Sequence, residues 1–485
     1  MIGVALAVTA MIACHLSVGA MVLRLADRAR GPRPLEEWLP LSFLLGWVAQ
    51  GLLACASLLA LGRLLPFAFP LLAAACAFAH LFLAPPSAPR LLQASVAARD
   101  AFSSARSLLV LVLLAAAATR LLVYLFAAWN FPLYTWDGRY IWHLKAMLLA
   151  HEPAIDTAAW LDPLRVHFHR DYPLLLPFAF AGIHELAADD SPRAPGLFLV
   201  ALMACFVLYF HHALRARCGA LVAAMGAFLA AGLGARMDYQ VTDGMTLLTG
   251  AADIPLSFLA FALFHQTLSR WGSARPSSAL IPGAFLAGCL MLKSEGVVVA
   301  AVWLAMVAAL AARDRLTGRP LPWKPIVLSL IAALLVAAPW LVLKRGLPNF
   351  YDERFGELLA LRGPGLLLER LGFVLHGIVV ELLDDYRWGW FWPAYAVALV
   401  LSVPLARRAL RSPLDWVVLA WGAAYLLAYL ATPLDAVYHI ESSLPRLLSH
   451  FQPLALFSLL SMVALAIRVA RVRVALLSGS SGEAR

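Results

Sequence analysis

The residues best equipped for chemistry gather in one stretch, Tyr134-Thr-Trp136-Asp137-Gly138-Arg139-Tyr140-Ile-Trp142-His143-Leu-Lys145. A carboxylate here can take the proton of a hydroxyl, while Arg139, His143 and Lys145, within two helical turns of it, can receive a leaving anion. On a helix from Trp142 to Leu149, His143 and Lys145 lie on different faces, so at most one of them points with Asp137. The competing reading is an interfacial belt of aromatics with solvated charges. A second stretch follows, His167-Phe-His169-Arg170-Asp171-Tyr172-Pro173. Imidazoles and a carboxylate are metal-ligand types, but two histidines one residue apart are a weak ligand set. Polar recognition of a sugar or phosphate is favoured, and no metal or other cofactor is expected.

Asp238, Asp243 and Asp253 come next. Asp253 stands before Ile254-Pro255, the pattern of a helix cap with proline in the first turn. Asp243 lacks that excuse and is placed with Asp137. Lys293 and Glu295 interrupt two apolar helices, where ionisable groups pair with each other or line a polar cavity; in the functional reading Lys293 faces a phosphate. Arg446 follows Pro445 near the chain end, and its planar fork matches phosphate oxygens. Arg120 lies inside an apolar run and is expected to have a carboxylate partner or to snorkel.

The elements that must position these groups are membrane helices. The 485 residues are 62% hydrophobic and 14% charged, with mean hydropathy +0.81, where a soluble domain carries roughly 25% charge. Apolar runs fall near 2–24, 40–61, 66–84, 107–129, 195–212, 219–235, 251–269, 279–292, 296–311, 325–344, 389–405, 414–431 and 450–468. The fold class expected is an all-α polytopic membrane protein with about 13 transmembrane helices and outer-face juxtamembrane helices. The first run has no basic leader and is longer than a signal-peptide core, so it is expected to remain as an anchor. The six cysteines sit in or beside apolar runs without a CxxC and read as free packing thiols.

With the N-terminus outside, the inner connections hold about 22 basic and 7 acidic residues, and the outer face about 15 basic and 21 acidic. The net charge of +10 therefore concerns orientation, and nucleic acid is not an expected partner. The active site is assigned to the outer, periplasmic face of the cytoplasmic membrane. Pro173 to Leu186 is apolar but short and contains His184 and Glu185; it reads as a re-entrant or partly inserted helix. Four regions result: N-terminal transmembrane helices over 1–106, a core over 107–344 that includes the outer loop 130–194, an outer loop over 345–388 with a surface helix near Leu366 to Leu383, and C-terminal helices with a short inner tail over 389–485.

Several of these motifs together resemble the GT-C superfamily of integral-membrane glycosyltransferases, which includes protein O-mannosyltransferases and lipid A aminoarabinose transferases. They are Trp136-Asp137-Gly138 in the first large outer loop, Tyr172 to Pro177 (Tyr-Pro-Leu-Leu-Leu-Pro), Ala-Asp-Ile-Pro at 252–255, Leu-Lys-Ser-Glu-Gly at 292–296, and Pro445-Arg446 before the last span. The resemblance implies inverting transfer of a sugar from a polyprenyl-phosphate donor to a lipid, polysaccharide or protein acceptor, without a metal. Asp137 would be the base, with Lys293, Arg446 and Arg139 at the donor phosphate. The remaining candidates for substrate contact are Trp136, His143, Lys145, His169, Asp171, Tyr172, Asp243, Asp253, Glu295 and His439. Three spans precede the catalytic loop where the family commonly has one. Gly138 stands where many relatives carry a second acid, so Asp171 and Asp243 stay open as alternative bases. The rival reading is a transporter or flippase of a lipid-linked sugar, against which the gathering of acids and aromatics on one face speaks.

Overall fold

The computed structural model describes residues 2–26, 33–65, 67–83, 105–133, 135–162, 169–234, 246–272, 276–347, 364–406, 412–432 and 436–479. It is 86% helical without strands among them. We number the main helices α1 (Ile2–Ala26), α2 (Leu35–Leu61), α3 (Ala68–Leu83), α4 (Ala105–Asn130), α5 (Leu144–His151), α6 (Leu175–Ala187), α7 (Ala194–Cys218), α8 (Ala220–Ala231), α9 (Asp253–Arg270), α10 (Leu280–Leu292), α11 (Gly296–Leu316), α12 (Trp323–Arg345), α13 (Pro364–Leu382), α14 (Phe391–Ala406), α15 (Pro413–Ala431) and α16 (Ala436–Gly479). Eight of these, α1, α2, α4, α7, α11, α12, α15 and α16, are long and apolar enough to cross a membrane. The chain is thus a multi-pass membrane protein. Each apolar run of the sequence coincides with one helix, because in a bilayer only a helix satisfies the backbone polar groups of such a run internally.

Charged contacts gather in two groups at opposite ends of the long helices. In one, Glu36 at the start of α2 receives His211 (3.3 Å) and Arg215 (3.1 Å) from the end of α7. There too the Trp271 indole donates to Asp314 (2.7 Å) and Arg468 to the Arg217 carbonyl (2.7 Å). The other group holds Asp137, Asp253, Lys293, Glu295 and Arg446. The short α6 does not carry the chain between them. Tyr172 ahead of it accepts from Lys145 at the start of α5, and Asp190 behind it pairs with His151 at the end of α5 (2.6 Å). Both flanks return to a helix about 12 Å long.

The core is knitted by close crossings and buried side-chain to backbone bonds. A Cβ on Gly19 would lie 1.7 Å from the Ser42 carbonyl oxygen, and one on Gly46 1.9 Å from that of His15, so α1 and α2 meet backbone to backbone. The Trp47 indole donates to the Leu175 carbonyl (3.2 Å), and Gln50 to that of Phe178 (3.1 Å), which docks α6 on α2. Gly46→Val is expected to cost on the order of 3 kcal/mol in thermal unfolding in detergent. Gly3→Ala, with nothing within 4 Å of the added carbon, should change nothing measurable. A small effect of Gly46→Val would contradict the crossing.

Arg120 is satisfied without the expected carboxylate. It donates to the Phe228 carbonyl (2.8 Å), and its guanidinium carbon stands 3.9 Å from the Phe228 ring centroid. A carbonyl near the end of α8 and a ring face serve the cation inside the protein. The six cysteines are free thiols. The stretch read near Leu366 to Leu383 forms a helix, α13, whose Arg370 donates to the carbonyls of Tyr429 (3.0 Å) and Thr432 (2.9 Å) at the end of α15, where a cation is favoured.

Candidate active site

Four segments distant in sequence build the cluster around Arg446. Asp137 opens a π-helical stretch, Asp137–His143, that runs into α5; such turns are frequent at functional sites. The segment before α9 holds it in place. Thr135 donates to the Thr249 carbonyl (2.6 Å) and receives the Gly138 amide (3.2 Å). A Cβ at position 138 would fall 1.7 Å from the Thr249 carbonyl oxygen. That contact is why glycine follows Asp137: a second acidic side chain has no room here.

The turn Lys293-Ser294-Glu295-Gly296 joins α10 to α11. Gly296 allows it, since a Cβ there would lie 2.1 Å from the Cys289 carbonyl oxygen. Lys293, with extended backbone, sends its ammonium to Asp253 Oδ1 and Glu295 Oε1, both at 2.7 Å. Asp253 is therefore not a helix cap. Ala252 holds the cap position with no side-chain bond, and the Asp253 carboxylate is taken by Lys293 and by His450 Nε2 (2.8 Å). Tyr425 lies 2.6 Å from His450 Nδ1. With the phenol donating there, Nε2 carries the proton given to Asp253.

Burial divides the cluster. At the back, the side chains of Lys293 and Asp253 are 7% and 9% exposed. At the front, Arg446 Nη1 donates to Asp137 Oδ2, and these side chains are 44% and 34% exposed. Between them, Glu295 Oε2 is buried and has no hydrogen-bond partner among the described residues. That oxygen is the one acceptor of the Lys293 turn's carboxylate left without a donor among the described residues. Two of the three Lys293 donors are used, by Asp253 and Glu295. A separate small cavity of about 50 Å³, lined by Gln50, Ser57 and Glu185 between α1, α2 and α6, shares no residue with the cluster.

The other sequence-derived candidates lie around this centre. His439 meets the Tyr429 ring edge-on at 5.0 Å, and the Tyr429 hydroxyl bonds Ser443 (2.8 Å). Trp136 pairs with Tyr140 (5.2 Å) and both are exposed. Arg139 is also exposed and donates to the Leu133 carbonyl, a local contact rather than one with Lys293 or Arg446. His169 stacks on Tyr172 (4.5 Å), and Asp171 stands 3.9 Å from Lys344 of α12. Asp243 and His167 lie outside the described residues. Sequence reasoning missed His450, Tyr425 and Tyr429. The available signal was a histidine and two tyrosines inside otherwise apolar runs.

His143 and Lys145 both point into the protein. His143 packs edge-on against His184 (5.0 Å), and burial pushes its imidazole down to about 4. Lys145 is fully buried and donates to the carbonyls of His169 (2.6 Å) and Tyr172 (3.5 Å), fastening the loop ahead of α6. Burial pushes its ammonium down to about 7, against the opposing pull of Asp171. The unfolded chain keeps this proton to about 10.5, so between pH 7 and 10.5 it binds more protons than the folded chain. Stability is therefore expected to fall as pH drops from 10.5 to 7 and then to level off with respect to this group. Melting temperatures of wild type and Lys145→Met over that range check it. The difference between them should carry the slope, and parallel curves would contradict the burial of a titrating lysine.

Among the described residues, no group of three or more His, Cys, Asp or Glu side chains is arranged to hold a metal ion. Comparison with protein-family models, with curated proteins and with solved structures gives no match.

Proposed function

We propose that this protein is a GT-C-like glycosyltransferase with thirteen membrane spans, acting on the outer face of the cytoplasmic membrane. It moves a sugar from a polyprenyl-phosphate donor to an acceptor hydroxyl. The observation that carries this reading is the pairing of a part-exposed carboxylate, Asp137, with a part-exposed guanidinium, Arg446, in front of a buried Lys293. That combination puts a proton acceptor beside cations suited to phosphate. The alternation of the two charged groups along the helix order supports the thirteen-span topology.

In the reaction, the acceptor hydroxyl gives its proton to Asp137 while its oxygen attacks C1 of the sugar from the face opposite the phosphate. The bond from C1 to the phosphate oxygen breaks, and that oxygen keeps the electron pair. Arg446 and the remaining donor of Lys293 take up the charge that develops on the leaving phosphate. Glu295 Oε2 accepts a sugar hydroxyl, and Trp136 with Tyr140 offers the ring a flat apolar face.

The test is reconstitution in vesicles with a labelled polyprenyl-phosphate sugar and extracted envelope acceptors. Labelled acceptor product is expected. Movement of the labelled lipid across the bilayer without product would favour the flippase reading.

A further inference from the structure

We propose that Arg446 serves two anions in turn, Asp137 and the donor phosphate, so that entry of the donor releases the base. This rests on the glycosyltransferase reading and concerns the order of events at that site. While the contact between Arg446 and Asp137 stands, Asp137 Oδ2 is occupied by the guanidinium and is not offered to an approaching hydroxyl. The contact is made to be exchanged. It uses Nη1 alone of the guanidinium's donors, it is part exposed, and a phosphate offers the fork a bidentate partner.

Lys293 cannot play this part. It is buried, and Asp253 and Glu295 fix it from two sides. The cluster thus has one fixed and one movable cation, with three carboxylates, Asp137, Asp253 and Glu295, competing for them. An arriving phosphate competes most directly with Asp137, whose claim on Arg446 is the exposed one. The freed carboxylate can then accept the acceptor's proton. After transfer, Asp137 passes that proton to water, its charge returns, and it takes Arg446 back from the product phosphate. Acceptor activation is in this way coupled to the presence of donor, which guards against attack by water on a donor only partly seated.

The test is a double-mutant cycle on binding of a polyprenyl monophosphate in detergent micelles, read by calorimetry, with melting temperatures to verify folding. Asp137→Asn should bind the lipid phosphate about three-fold more tightly than wild type, the size expected from removing a part-exposed competing ion pair. Asp137→Ser repeats the measurement with a second uncharged side chain. Arg446→Gln should bind about ten-fold more weakly or worse. In the Arg446→Gln background the gain from Asp137→Asn should vanish. A gain that persists there reports plain repulsion between carboxylate and phosphate and overturns the exchange, as does no gain in the single variant. Failure of wild type and all variants to bind the lipid phosphate overturns the glycosyltransferase reading itself.

Discussion

Asp137→Asn is expected to lower the rate of transfer by about 10³-fold while the protein melts within a degree or two of wild type. General-base catalysis contributes roughly 10²- to 10⁴-fold. Asn keeps the shape and an oxygen for Arg446 but cannot take a proton. The fold has little stake in the charge: the pair is part exposed, and such pairs are worth about 0–1 kcal/mol. Gly138 and the bonds of Thr135, which hold the turn, are untouched. Of the two alternatives for the base, Asp171 faces Lys344 and Asp243 lies outside the described residues. Initial rates with labelled donor, beside melting curves, decide the matter. Transfer within ten-fold of wild type would remove Asp137 as the base.

The second large effect is on stability. Lys293→Met should cost about 3–5 kcal/mol, because it leaves Asp253 and Glu295 buried without their cation. Methionine nearly matches the lysine stem in volume, so the loss reports charge rather than packing. Adding Asp253→Asn to Lys293→Met should recover part of it, since one of the two unpaired charges is then gone and His450 can still donate to the amide oxygen. Chemical denaturation of the purified variants measures both steps. A cost below about 1 kcal/mol for Lys293→Met would mean that water reaches the back of the cluster.

What the sequence revealed and what it hid divide along local and non-local lines. Apolar run length alone located the main apolar helices, the short α6, and the break at Lys293 to Gly296, because each is written in consecutive residues. Charge sidedness put Asp137, Lys293 and Arg446 at one end together. Partners were another matter. Asp137 and Arg446 are separated by 309 positions, and only packing of α16 against α9 and its neighbours brings them together. Asp253 looked like a cap because its local pattern is that of one, yet a cation 40 residues on claims it. Arg120 found a carbonyl and a ring rather than an acid. His143 and Lys145 looked like site residues from their nearness to Asp137; a π-helical turn and burial direct them inward to His184 and to the loop carbonyls. His450 carried no mark beyond being a histidine in an apolar run, which reads equally well as ordinary core.

In the proposed reaction, the cluster holds a lipid-linked phosphate on Arg446 and Lys293 with Asp137 beside it as base. A cryo-electron-microscopy map of the full chain in lipid nanodiscs with a polyprenyl monophosphate tests it most directly. Phosphate density bridging Arg446 and Lys293 is expected, with Asp137 turned off Arg446. Lipid phosphate seated elsewhere, with the contact between Arg446 and Asp137 intact and the cluster closed to the bilayer, would contradict it.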